Sequence, residues 1–213
     1  MTISRMLRVS AALFAVIVIC EPARAIRFDW TSEEIQCARS LGIELDGFPA
    51  PGSDDYVKRL AWLADLIVIA DVTEIRLDTR GAHHTQVGLN VQSVSKGAPP
   101  TGQLTVALMS GPVYVPALDE VLEAESVNEP TFEKGERVLL FLTKGHMETP
   151  SISGPSYDFP ENFYSVVNDA KFKISGGVAT LSGWGSGEYD VLTCNLQIDA
   201  VVQAQAANCV GGL

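Results

Sequence analysis

Positive charge, histidine and cysteine are all scarce in this chain. Its 213 residues carry 15 Lys and Arg against 26 Asp and Glu, a formal charge of −11. Such a balance works against binding to nucleic acid or anionic membrane surfaces, both of which call for a basic face. With three His and four Cys, neither H-E-x-x-H nor a paired-cysteine spacing occurs, so no zinc site is readable and no cofactor is expected. No apolar run reaches the ~20 residues of a membrane-spanning helix.

The longest such run, Val9 to Cys20, follows Arg5 and Arg8 and ends near Ala23-Arg24-Ala25. This is the pattern of a cleaved secretory leader with an A-x-A site. The mature chain is therefore expected to begin at Ile26, to be exported to a periplasmic or extracellular compartment, and to have no membrane span. A lipid-modified start at Cys20 would need a small residue where Ile19 stands. Loss of three Arg and one Glu with the leader takes the charge from −11 to −13. Three cysteines remain: Cys37, Cys194 and Cys209. An oxidising compartment favours one pair and one free thiol. Cys194 with Cys209 closes a short loop and is the first expectation, with Cys37 to either as the alternative.

Thr31 and Glu34 have the spacing of a capping box, which predicts a short helix to about Ser40 that stops at Gly42. A Pro/Gly/Asp-rich loop follows, then a turn or two of helix over Tyr56 to Leu63. From Leu66 the texture becomes β-branched. One long strand to about Leu77, with a bulge, precedes a period-2 strand that ends in Val94-Ser95-Lys96-Gly97, and QLTVALM makes a third. The segment from Ser110 to Thr131 reads as a long acidic loop with one helical turn around Leu118 to Ala124. Val138 to Leu142 is uninterruptedly apolar, the mark of a strand buried on both faces. FYSVV reads as a fifth strand and AKFKI-SGG-VATL as a hairpin. A helix over Leu196 to Ala207 closes the chain. The fold class expected is mainly β: a five-stranded OB-like barrel with an added β-hairpin and short N- and C-terminal helices. Its divisions are a leader at 1–25, a helical and loop extension at 26–62, the barrel at 63–182, and a Gly-rich loop and helix at 183–213.

Candidate chemistry is thin. Ser93 and Lys96 match S-x-x-K, but in a strand they fall on opposite faces, whereas that nucleophile needs one helical turn between them. His83 and His84 are adjacent and point apart in extended chain, and His146 stands alone. Asp119, Glu120, Glu123, Glu125 and Glu129 gather five carboxylates with no cation among them and no calcium-loop pattern. They are candidates for meeting a basic partner. Trp184, in a glycine-rich stretch, and Tyr189 are candidates for a binding surface. Lys134, Glu136 and Arg137 read as a solvated strand entrance.

The order ADLIVIADVTEI, VSKG, QLTVAL, FEKGERVLLFL, YSVV, KFKISGGV resembles the secreted bacterial relatives of the tissue inhibitors of metalloproteinases and netrin modules. Each motif is short; their order and spacing carry the likeness, over roughly Leu63 to Leu181. The resemblance implies an OB-type barrel in an exported protein that acts through protein contacts and is not an enzyme. In the animal inhibitors a mature amino-terminal cysteine ligates the target's zinc. Here Ile26 would come first and Cys37 lies inside, so no inhibitory residue carries over. Two other readings stand beside it: an envelope carbohydrate module using Trp184 and Tyr189, and a hydrolase whose loop-built site includes His146 or His83.

Overall fold

A computed structural model describes residues 31–45, 47–78, 85–125, 129–144, 163–182 and 187–208. In chain order the elements are α1 (Ser32–Ser40), α2 (Asp54–Leu63), β1 (Leu66–Leu77), β2 (Thr85–Lys96), β3 (Leu104–Leu108), β4 (Gly111–Val115), β5 (Glu120–Ala124), β6 (Arg137–Lys144), β7 (Phe163–Ser175), β8 (Val178–Ser182), β9 (Gly187–Asp190) and α3 (Val191–Asn208). Strands β3, β2, β1, β6 and β7 pair in that order. A short parallel seam, Thr105 opposite Phe163 and Val106 opposite Tyr164, joins β7 back to β3. The result is a closed five-stranded barrel of the OB type, and β8 and β9 extend the sheet beyond β7.

Strand periodicity divides the apolar residues into two cores. Leu66, Val68, Ala70 and Val72 of β1 point inward to meet Val138, Leu140 and Leu142 of β6 and Val87, Leu89, Leu104 and Val106 of β2 and β3. The alternate residues Ile67, Leu139 and Phe141 face outward under the helices, in a cluster with Tyr56, Val57, Leu60, Phe172, Ile198 and Val201. This is why Val138 to Leu142 needs no polar residue: both faces of β6 are covered, and all five side chains are fully buried. The expected bulges in β1 occur, as register shifts against β2 at Ile67/Val68, Ile69/Ala70 and Val72/Glu74.

Two strands expected to be separate prove to be one. FYSVV and AKFKI are joined through Asn168 and Asp169, both at positive φ (50° and 52°), within a single β7 whose register against β6 slips between Leu140 and Leu142. Short Asx side chains tolerate this left-handed backbone. The bend lets the first half of β7 close the barrel while the second half pairs with β8.

The helices are tied down by local chemistry. Thr31 and Glu34 form the expected capping box, with Thr31 N–H donating to Glu34 Oε2 at 2.8 Å and Glu34 N–H to Thr31 Oγ1 at 3.2 Å. Ser53 caps α2. At the other end of α2, Lys96 Nζ donates to the carbonyls of Ala61 and Trp62 at 2.9 and 3.3 Å, and Gln205 Nε2 of α3 also reaches Trp62 O at 3.3 Å. A cation suits the negative end of a helix, although burial outweighs the nearby Asp65 carboxylate and pulls this ammonium down to about 8. Among the described residues no helix is long and apolar enough to cross a membrane.

Candidate functional site: an acidic hairpin outside the barrel

The motifs that carry the family likeness serve the frame. Gly97 stands at φ +76°, and a Cβ there would lie 2.2 Å from the carbonyl oxygen of Asp65, so the Lys96-Gly97 pair caps α2 and then lets the chain pass close to its exit. In FEKGE, Gly135 also takes positive φ (89°), and its N–H donates to Val72 O while Val72 N–H donates to Glu136 O. Glu136 corrects the reading of a solvated entrance. It is buried, its Oε1 accepting from Lys171 Nζ at 2.7 Å and from Glu133 N–H at 2.9 Å. The Lys171 ammonium also donates to Thr131 O at 2.6 Å and lies 4.8 Å from the Phe132 ring centroid. Arg137, by contrast, is half-exposed and forks onto Asp71 at 2.8 and 3.2 Å. Lys96 is engaged at the end of α2, so S-x-x-K has no nucleophile geometry.

Two further expectations are overturned. Tyr189 is core: it is 8% exposed, its hydroxyl accepts from Gly52 N–H, and its ring meets Phe172 edge-on at 5.3 Å. Burial pushes the phenol's pKa up. The Cys194–Cys209 pairing is not formed, because Cys194 is a free, buried thiol, pushed up to about 11 by desolvation and facing the helical core with Ile198. Cys37 is the disulfide-bonded cysteine, and its partner is outside the described residues. So are Cys209, His83, His84, His146 and Trp184. Among the described residues no group of three or more His, Cys, Asp or Glu is placed to hold a metal.

A polar cleft of about 90 Å³ opens over the barrel's seam, between Glu74, Gln86, Gln103, Thr105 and Phe163. That is well below the ~300 Å³ of a small-molecule site. Its charged wall is self-compensated, Glu74 pairing with Arg76 at 2.7 Å.

The acidic segment is where the structure departs most from expectation. It is neither loop nor helical turn. Strands β4 and β5 form a two-stranded sheet of their own, with Val113 opposite Leu122 and Tyr114 opposite Val121. The tip turns through Pro116 to Asp119, where Leu118 N–H donates to Val115 O at 3.0 Å and Asp119 takes φ 55°. Asp119 is held by the Tyr114 hydroxyl at 2.6 Å, which raises the pKa of that phenol. Leu118, Val121 and Leu122 are 58%, 56% and 42% exposed. Glu120 and Glu123 lie exposed on the same strand and Glu125 just beyond it. No Lys, Arg or His occurs anywhere from Gly97 to Glu133.

Glu129 separates from the other four carboxylates. Its two oxygens accept from the backbone N–H groups of Met109 and Ser110 at 2.9 and 2.7 Å, so it clasps the chain leaving the hairpin to the chain entering it. Thr85 Oγ1 adds a bond to Ser110 O at 2.7 Å. The hairpin therefore has a fixed root and a tip on which apolar and acidic side chains alike are exposed.

No protein-family model matches this sequence, and no curated protein matches it. What this chain does must be argued from its own geometry, and the hairpin offers the clearest lead.

Proposed function

We propose that this chain is an exported, non-enzymatic binding module of the netrin and metalloproteinase-inhibitor-like type, acting through protein contacts made by the β4–β5 hairpin. One observation carries the reading: three large apolar side chains, Leu118, Val121 and Leu122, stand in solvent on an element that, among the described residues, adds no side chain to either core. A lone two-stranded hairpin is marginal in water, and Val121 and Leu122, consecutive in β5, leave apolar side chains exposed on both of its faces. The arrangement of the other motifs agrees with this division of labour, since Gly97, Lys96, Glu136 and Lys171 are occupied with holding the frame. Export rests on the leader pattern of the first 25 residues.

The test is a cross-linking pull-down from the exported fraction with the intact chain and with Leu118, Val121 and Leu122 changed together to Ser. Loss of the cross-linked partner in a variant whose urea midpoint is unchanged supports the reading. Identical capture by both proteins sinks it.

A further inference from the structure

Of the two N-terminal helices, α2 is held by burial and α1 is not. Over ten residues α2 buries Tyr56, Val57, Arg59, Leu60, Ala61 and Trp62, whereas α1, nine residues long, buries only Cys37 and Ala38. Helices shorter than about 12 residues are marginal in water without tertiary support, and two small side chains supply little of it. Yet α1 packs against α3, with Cys37 in one cluster with Ile198 and Val201. Its sulfur is in a disulfide.

Only two cysteines can be the partner. The chain has cysteines at 20, 37, 194 and 209, and Cys194 is a free thiol, which leaves Cys20 and Cys209. Cys20 would depart with the expected leader. Along α3 the residues turned to the core are Cys194, Ile198 and Val201, and Gln205 continues the series by donating to Trp62 O at 3.3 Å. A further step of three or four residues on that stripe reaches 208 or 209. We propose that Cys37 is bonded to Cys209, a clamp that fastens the first helix to the end of the last and makes the hold on α1 depend on oxidation. The choice of Cys209 over Cys20 rests in part on the export reading.

In forming the bond the two thiols give up two protons and two electrons as the sulfurs join, and the disulfide of an exported thiol–disulfide oxidoreductase takes them and leaves as a dithiol. Cys194 stays out of exchange because it is buried and its thiol, raised to about 11, carries little thiolate. The loop closed, from 37 to 209, is long, the case in which a cross-link restricts the unfolded chain most.

The experiment takes the exported chain as secreted, denatures it at mildly acid pH to freeze exchange, labels its thiols before and after reduction, and maps the unreduced peptides by mass. The expected result is a chain beginning at Ile26 with one adduct before reduction, on Cys194, three after it, and a peptide pair joining Cys37 to Cys209. Three adducts before reduction, or a pair containing Cys194, overturns the clamp while a start at Ile26 leaves export standing. A chain that keeps its leader and links Cys37 to Cys20 overturns both. Neither outcome touches capture by the hairpin, which the pull-down decides separately. Hydrogen exchange then reads what the bond does: reduction, or Cys209→Ser, should speed exchange of the α1 amides by at least about tenfold while β6 stays protected. Unaltered α1 exchange in the reduced chain overturns the oxidation-dependent hold.

Discussion

The barrel and the hairpin are both antiparallel β-structure, yet they treat apolar residues in opposite ways. In β6 every residue from Val138 to Leu142 is buried, because the barrel interior takes one face and the helices the other. In β5 the residues from Glu120 to Glu123 are exposed, apolar and acidic alike. The barrel's shape is over-determined by burial. The hairpin's is set by cross-strand pairs, a turn at Asp119 and the Glu129 clasp. Changes in one region should therefore register as stability, and in the other as recognition.

The largest effect is expected at the buried ion pair. Glu136→Ala leaves the Lys171 ammonium without its carboxylate in a dry site, at a cost of about 3 to 5 kcal/mol, while changing Glu136 and Lys171 together to Met should restore much of it. Urea unfolding of the single and double variants checks both. Next, Leu140→Ala opens a cavity in the barrel and should cost about 2 to 5 kcal/mol, read from the shift of the urea midpoint. If either change leaves stability untouched, the contrast with the hairpin fails on the barrel side.

A pH experiment sharpens it further. The Lys96 ammonium is pulled from 10.5 to about 8, so between those values the unfolded chain binds the extra proton and the native chain does not. Stability contributed by this group must then rise as pH increases through that window. Tyr56 acts with the opposite sign and higher up: burial first of all raises its phenol from 10.0 to about 12, so its contribution is present below 10 and is lost as pH climbs through 12. Urea midpoints should climb from pH 7 to 9, above which the Cys194 thiol, raised from 9.0 to about 11, acts with the opposite sign, and Lys96→Met should flatten that climb. The smallest effect belongs to the hairpin: Leu118, Val121 and Leu122 changed to Ser should each move stability by no more than about 0.5 kcal/mol by the same assay, whatever they do to binding.

Most of the barrel could be read from the chain because burial leaves a pattern. Alternation in β2, the two-sided apolar run in β6 and the capping box at Thr31 each have one physical explanation, and each is found in place. The misreadings share a different cause. The partner of Glu136 lies at Lys171, far along the chain, so a charge next to a glycine turn looked solvated. FYSVV and AKFKI looked separate because Asn and Asp, the two residues between them, favour turns, yet here they bend a continuous strand. Leu118 to Ala124 is rich in helix formers, but a helix that short is unstable without a core to cover, and pairing with Val113 to Val115 prevails. The signal for the hairpin was present in Val113-Tyr114-Val115, a β-favouring triplet ahead of a proline turn. The acidic residues were legible; that the leucines between them would stay uncovered was not, since exposure depends on where the barrel ends.

The Glu129 clasp also bears on how such a protein can change over generations. A carboxylate that fastens the two feet of an insertion to each other makes what lies between them replaceable, because the barrel senses the feet and not the length or content of the stretch they carry. Lineages sharing this scaffold could exchange one tip for another and acquire a new correspondent without relearning how to fold.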